Sequence, residues 1–164
     1  MLKKILSVIT ITFLYSLSSM AQNEGNIWYF GDKAGIDFNN NQVQILTNSN
    51  QNSIEACSAI ADSLGNLLMY TNSIYAYNKN HQTMANSVFL DGNSSTTQTA
   101  ILKRPGSDSI FYIFTLDRQA GIKGFKYSEI DLTLNNGLGD VTTNKNISIN
   151  TPNAEKICIV QHSN

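Results

Sequence analysis

NIWYFG, at positions 26–31, is the first of three short aromatic segments in this chain; the others are NLLMYT at 66–71 and SIFYIFT at 109–115. Each segment is apolar, rich in aromatic residues and bounded by turn-forming residues, which is typical of a buried β-strand. The copies recur about every 40 to 45 residues, the period of a four-stranded propeller blade. A strand and a tight turn precede the second and third copies, AIADSLG at 59–65 and AILKRPGSD at 100–108, whereas no such strand precedes the first.

The remaining segments also have the patterns of strands, and no window sustains a 3.6-residue apolar period. The sequence therefore predicts an all-β fold: a partial β-propeller of about three four-stranded antiparallel blades, with a β-sandwich as the alternative. The predicted blades cover 26–50, 55–92 and 97–150, and a fourth begins at 155–164. We expect a short helical turn near 81–85. Besides the aromatic segments, the predicted strands are 35–39, 42–47, 56–61, 73–78, 88–90, 97–103, 125–132 and 146–150.

Residue size also varies across each predicted blade. The first strands of blades two and three carry small residues, at 56–61 and 99–100, whereas the next strands carry aromatic ones. This gradient favours a propeller, because inner strands crowd around a central channel and blades diverge farther out. The aromatic side chains expected in the core are Trp28, Phe30, Tyr70, Tyr75, Tyr77, Phe111, Phe114, Phe125 and Tyr127.

The first 21 residues have the organisation of a signal peptide. Lys3 and Lys4 precede an uncharged apolar run at 5–17, and small residues stand before Gln22. The run is shorter than the roughly 20 residues needed to span a bilayer. We therefore predict a signal peptide at 1–21, a domain at 22–164, and export by the Sec pathway to the outer-membrane surface or the medium. No later stretch is apolar enough to span a membrane.

The charge pattern excludes one class of partner. Charged residues make up 14% of the chain, the formal net charge is −1, and lysine and arginine are scattered. Nucleic-acid binding needs a basic patch or stripe, so this class is excluded. The partner expected is a protein or glycan at the cell surface.

Few residues are candidates for chemistry, and we predict no catalytic, cofactor-binding or metal site. His81 lies in a polar stretch, and Asp117 and Arg118 follow an aromatic strand, where they are candidates for a ligand-binding face. The segment at 62–66, DSLGN, has oxygen ligands of the kind that calcium prefers. It lacks an alternating ligand series and a closing glutamate, so a tight turn is the favoured interpretation.

The two cysteines, Cys57 and Cys158, are predicted to be unpaired. Export permits a disulfide. However, the repeat places the two residues in corresponding inner strands two blades apart, beyond the roughly 7 Å between Cα atoms that a disulfide can bridge. Two small, buried thiols are the expected alternative.

Several motifs together resemble one family. They are NIWYFG-x3-GIDFN (26–39), EACSAIADSLGNLLMYTNSIYAYNKNHQTM (55–84), GNSSTTQTAILKRPGSDSIFYIFTLD (92–117), KYSEIDLTLNNGLGDV (126–141) and EK-x-CIVQH (155–162). In order and spacing they are similar to the N-terminal propeller-like region of large secreted proteins of Bacteroidetes. Those proteins commonly end in a gliding-motility-associated sorting domain for type IX secretion. The resemblance implies type IX export after Sec, and it implies no catalytic residue.

The functional prediction is a non-enzymatic interaction or scaffold module at the cell surface, forming the N-terminal part of a larger exported protein. We expect a truncated chain, because the segment at 156–164 repeats the opening of a blade and stops there. Two alternatives stay open. One is a propeller-type carbohydrate-active enzyme or lyase whose active site lies in missing blades, and the other is a non-functional gene fragment.

Overall fold

The computed structural model describes residues 23–40 and 42–159, in which the chain is an all-β structure with short helical turns. All strand pairings are antiparallel. The strands form three sheets, each built from strands that are consecutive in the sequence, and we number the sheets 1, 2 and 3 in chain order. The predicted all-β class is therefore confirmed. The predicted signal peptide lies outside the described residues.

Sheet 1 is a three-stranded meander. Its strands are β1 (Ile27–Phe30), β2 (Ala34–Asn40) and β3 (Gln42–Leu46). Gly35 lies opposite Tyr29, and a Cβ atom at Gly35 would stand 2.6 Å from the Tyr29 ring and 2.8 Å from the Trp28 carbonyl oxygen. The glycine therefore makes room for the Tyr29 ring over β2.

Sheet 2 is also a three-stranded meander. Its strands are β4 (Ser58–Ala61), β5 (Leu67–Thr71) and β6 (Ala76–Asn78). The β4–β5 turn is held by the Asp62 carboxylate, whose Oδ1 accepts from the backbone N–H groups of Leu64 and Asn66, each at 2.9 Å. Gly65 completes the turn at a φ of +87°, a left-handed conformation that glycine adopts without steric cost.

Sheet 3 has five strands that fill four positions. Its strands are β7 (Ala100–Lys103), β8 (Ile110–Leu116), β9 (Phe125–Asp131), β10 (Asp140–Val141) and β11 (Ile147–Asn150). Both β10 and β11 pair with β9. Strand β10 pairs with Ile130 and Asp131, whereas β11 pairs with the stretch from Phe125 to Tyr127. The outer position is thus one edge shared by two short strands. A tight turn at Leu134–Gly137 lies between β9 and β10, with Asn135 and Asn136 in left-handed backbone conformations.

The three sheets pack face to face through two hydrophobic clusters. The cluster between sheets 1 and 2 contains Ile27, Tyr29, Tyr70 and Tyr77. The cluster between sheets 2 and 3 contains Met69, Ala76, Met84, Leu90, Phe111, Ile113, Ile130 and Val141. Sheet 2 is therefore covered on both faces, whereas sheets 1 and 3 each contribute one face to a cluster.

Most predicted strands are present, but sheets 1 and 2 have three strands each rather than the four predicted for a blade, and several strand bounds are wrong in detail. The segment at 88–90 is not a strand: Phe89 has a φ of +61°, and the Leu90 N–H donates to the Ile74 carbonyl at 2.9 Å. The strand predicted from 73 begins at Ala76, because Ser73 has a φ of +73°. Residues 156–159, predicted to open a fourth blade, form no strand, and 160–164 lie outside the described residues.

The helical turn expected near 81–85 lies slightly later, at Ala85–Ser87. Two further 3-10 turns cover Asn23–Gly25 and Arg118–Ala120. None of the helices within 23–40 and 42–159 has the length and apolar composition that a membrane crossing requires.

The prediction for the aromatic core is only partly correct. Tyr70, Tyr77 and Phe111 are buried, with exposures of 0%, 6% and 2%. Tyr75, Phe114, Phe125 and Tyr127 are half-buried. Trp28 and Phe30 are exposed, because their side chains lie on the face of sheet 1 that points away from sheet 2.

Candidate interaction surface

The outer face of sheet 1 is an apolar surface that contributes to neither hydrophobic cluster. Trp28 lies opposite Ile36 in the β1–β2 pairing, and Ile36 lies opposite Ile45 in the β2–β3 pairing. Directly paired residues share a face, and so do residues two apart along a strand. The outer face of sheet 1 is therefore formed by Trp28, Phe30, Ile36, Phe38, Val43 and Ile45.

This surface is strongly exposed and carries no ionisable side chain among these six residues. Ile45 is 83% exposed, Val43 62% and Trp28 54%. The rings of Trp28 and Phe38 meet edge to face, with centroids 5.2 Å apart and planes at 65°. The indole Nε1–H donates to the Gly25 carbonyl at 2.8 Å, which fixes the orientation of the Trp28 ring.

Sheet 3 has a second aromatic surface on the side that points away from sheet 2. Tyr112, Phe114, Phe125 and Tyr127 form a connected set of rings, with centroids 5.4 Å apart for Tyr112–Tyr127 and 5.8 Å for Phe114–Phe125. Ile147 pairs directly with Tyr127, so it shares this face and is 38% exposed. We call these five residues the outer face of sheet 3; Glu129, which pairs with Tyr112, and the buried Leu116, which pairs with Phe125, lie on the same side of the sheet.

The predicted candidate His81 lies in a polar network between sheets 1 and 2. Its Nε2 is 2.9 Å from Asn48 Nδ2, and its Nδ1 is 3.3 Å from the Tyr70 hydroxyl. Asn48 Oδ1 accepts from the Tyr29 hydroxyl at 3.1 Å, and the Asn50 N–H donates to the Tyr70 hydroxyl at 3.0 Å. Because the Asn48 amide nitrogen is a donor, we assign His81 as neutral, with its proton on Nδ1.

Burial shifts the pKa values of the histidine and the tyrosines in this network. Desolvation lowers the pKa of His81 and raises the pKa of Tyr70 to about 12. It also raises the pKa of Tyr29. Both ring nitrogens of His81 are already hydrogen-bonded inside the protein, so the network fixes the linker after β3 to sheets 1 and 2.

Asp117 and Arg118, the other two candidates, lie in the β8–β9 connection. The Asp117 carboxylate accepts from the Arg118 N–H at 2.9 Å and from the Lys123 N–H at 3.0 Å, which caps the 3-10 turn there. The Arg118 side chain is exposed. The contacts of His81 are with Asn48, Asn50 and the tyrosines of sheets 1 and 2, so the three candidates do not share a contact network.

The candidate calcium segment is a turn whose acidic group is hydrogen-bonded. The Asp62 carboxylate also accepts from the Asn66 side chain, at 3.0 Å to Oδ2. The hydrogen bonds from Asn66 and the turn backbone lower the pKa of Asp62. In the described part of the chain, no three His, Cys, Asp or Glu residues are grouped so that they could hold a metal ion.

The two cysteines are not bonded to each other. Cys57 is half-buried just before β4, and desolvation raises the pKa of its thiol. Cys158 is exposed in the segment that follows β11.

The outer face of sheet 1 was not predicted from the sequence, although a signal for it exists. IWYF in β1 is apolar at every position, and a strand that is apolar at every position presents apolar side chains on both faces. In β3, the alternation of QVQIL was compatible with Val43 and Ile45 facing the core. In the structure only Leu46 of this strand packs against the core.

Comparison of the chain with protein-family models, curated proteins and solved structures found no match.

Proposed function

We propose that this chain is a non-enzymatic interaction module that acts at the bacterial cell surface after export by Sec. The observation that carries the proposal is the exposed apolar face of sheet 1, where Ile45, Val43 and Trp28 are each more than half exposed. Exposed apolar patches of this kind mark interaction sites. The signal-peptide pattern at 1–21 supports export.

The chemistry of this face favours a protein partner over a glycan. Trp28 and Phe38 meet at 65°, so the two rings do not form one flat platform for sugar rings. Val43 and Ile45 extend the surface with aliphatic side chains, which offer no hydrogen bonds to sugar hydroxyls. A sheet face of aliphatic and aromatic side chains is instead suited to packing against another apolar protein surface.

The arrangement of acidic groups favours binding over catalysis. Asp62 and Asp117 cap turns, and the Asp131 carboxylate accepts from the Thr133 N–H at 2.9 Å. The buried Asp140 accepts from the Asn86 N–H at 3.0 Å. Catalysis by acids needs such groups to converge on one substrate. These four carboxylates are instead each occupied by local hydrogen bonds.

We further propose that the three sheets are blades of an incomplete β-propeller in a larger exported protein of the type IX secretion class in Bacteroidetes. Three features support this: the meander order of each sheet, the face-to-face packing of successive sheets, and the family resemblance of the sequence. A β-sandwich would pack two sheets rather than three.

The test combines a turnover assay with a binding assay on the exported chain. The chain is incubated with a panel of polysaccharides and peptides, and its fluorescently labelled form is titrated onto intact bacteria with an outer membrane. We expect no new reducing ends or free amines, and saturable binding that Ile45→Glu weakens at least about tenfold. Gln42→Glu adds the same charge to the opposite face of β3 and should bind like the unmodified chain. Turnover, or equal binding by both variants, would overturn the proposal.

A further inference from the structure

A cavity of about 810 Å³ opens between the loop that follows β6 and the edge of sheet 3. One wall comes from the loop segment 85–88, and the other comes from Leu134 and the segment 141–145. Val141 is buried within the cavity lining, whereas Val88 and Leu134 are 39% and 41% exposed. These three side chains give the cavity an apolar lining, and its volume is in the range of small-molecule sites.

Hydrogen bonds between distant segments hold the two walls in place. The Asp140 carboxylate accepts from the Asn86 N–H at 3.0 Å and from the Asn86 amide group at 3.1 Å. The Asn146 amide group donates to the Phe89 carbonyl at 3.2 Å. Phe89 has a φ of +61°, which is unusual for a bulky residue and has to be maintained by its surroundings. The walls of the cavity are therefore formed by the fold itself.

Lys145 is the one ionisable residue among those that line the cavity. Its Nζ donates to the Val88 carbonyl at 2.7 Å, which uses one of the three N–H groups of the ammonium and leaves two. The side chain forms no salt bridge with any residue in 23–40 or 42–159. The Thr143 hydroxyl lines the same cavity. The polar groups available to a ligand are thus a cation and a hydroxyl beside apolar walls.

The acidic residues on the neighbouring strands have other partners. Besides its bonds to the loop, Asp140 accepts from the Val141 N–H at 2.8 Å. Glu129 lies 3.6 Å from Arg104 Nη1, which balances its charge. Neither carboxylate forms a salt bridge with Lys145, so the ammonium charge favours an anion in the cavity.

We propose that this cavity binds a small aliphatic carboxylate. The carboxylate accepts hydrogen bonds from the Lys145 ammonium and the Thr143 hydroxyl, and the hydrocarbon tail packs against Val88, Leu134 and Val141. The apolar lining favours a carboxylate with a tail over an inorganic anion. This site shares no residue with the outer face of sheet 1, so the inference goes beyond the proposed function and does not depend on it.

Isothermal titration of the exported chain with octanoate tests the site, because octanoate has both the anionic head and the apolar tail. Acetate has the same head without the tail, whereas 1-octanol and octylammonium have the same tail without the anion. We expect saturable binding of octanoate, and binding of each of the other three at least about tenfold weaker, since each lacks one of the two interactions.

Variants at Lys145 separate its charge from a structural role. Lys145→Gln should weaken octanoate binding at least about tenfold, and Lys145→Arg should retain most of it because it keeps the charge. Lys123→Gln is the matched control, since it removes an exposed cation from the β8–β9 connection and should bind octanoate like the unmodified chain.

Three outcomes would overturn the inference: no saturable binding of octanoate, equally tight binding of 1-octanol, or equal binding of octanoate by Lys145→Gln and Lys123→Gln. Binding to bacteria that depends on Ile45 would persist in each case, so failure at this cavity is distinguishable from failure of the proposed function.

Discussion

Sheets 1 and 2 contain the same kind of aromatic strand in different surroundings. In β5 of sheet 2, the neighbouring residues Met69 and Tyr70 point to opposite faces and are both 0% exposed. In β1 of sheet 1, the neighbouring residues Trp28 and Tyr29 also point to opposite faces, but they are 54% and 4% exposed. An aromatic strand therefore becomes core only on a face that another sheet covers.

The largest expected effect on stability distinguishes the buried strand of sheet 2 from the exposed face of sheet 1. Tyr70→Ala removes a fully buried ring that lies 4.8 Å from Tyr77 and from Tyr29, and we expect it to lower the free energy of unfolding by about 3–5 kcal/mol. Trp28→Ala removes a larger ring from the exposed face and should cost less than about 1 kcal/mol. Urea denaturation followed by circular dichroism measures both values. Equal losses of unfolding free energy would contradict the finding that sheet 2 is covered on both faces and sheet 1 on only one.

A second effect tests the inner face of sheet 1. Gly35→Ala places a methyl group 2.6 Å from the Tyr29 ring and 2.8 Å from the Trp28 carbonyl. We expect a loss of about 1–3 kcal/mol, because overpacking forces the ring or the β1 backbone to shift. Gly25→Ala is the matched control, since nothing lies within 4 Å of the position that its Cβ would take. If Gly35→Ala were as stable as this control, the packing of Tyr29 over β2 would be wrong.

The His81 network between the two sheets predicts a pH dependence. Burial lowers the pKa of His81 in the folded state, so the unfolded chain binds more protons below the ordinary histidine pKa of about 6.5. Stability should therefore be complete above about pH 6.5 and fall as the pH drops toward the folded-state pKa. Urea midpoints from pH 5 to 8 measure this slope.

His81→Asn should flatten that slope, because asparagine does not titrate and tolerates the φ of +63° at this position. A slope that survives in His81→Asn would show that another group causes the pH dependence.

The smallest effect on stability belongs to the exposed face. Ile45 is 83% exposed, so Ile45→Glu should change the free energy of unfolding by no more than about 0.5 kcal/mol when measured at low protein concentration. Its effect should fall on binding to bacteria instead. A loss above about 2 kcal/mol in dilute solution would indicate that the outer face of sheet 1 is part of the core.

Much of the fold was predictable because alternation and turn residues are local signals. The strands around NLLMYT and SIFYIFT appear as β5 and β8, each as the second strand of its sheet, and β1 is the first strand of its own. The errors arise where single residues interrupt a strand. Ser73 and Phe89 adopt left-handed backbone conformations that their residue types rarely favour, and these depend on neighbouring segments rather than on local preference.

The candidate surface was less predictable, because which face of a strand is covered is a property of the packing of sheets. The sequence places aromatic residues in β1 but does not state which neighbour they meet, and so Trp28 was assigned to the core. His81 was recognised as a polar loop residue, whereas its partners Asn48 and Tyr29 are distant in the sequence and come together only when sheets 1 and 2 pack.

Trp28 is the only tryptophan in the chain, so its fluorescence reports directly on the outer face of sheet 1. The central claim is that this face is exposed in the folded chain. Acrylamide quenching of the folded chain in dilute solution measures its accessibility. We predict red-shifted, readily quenched emission, because the Trp28 side chain is about half exposed. Blue-shifted emission that acrylamide does not quench would contradict the claim.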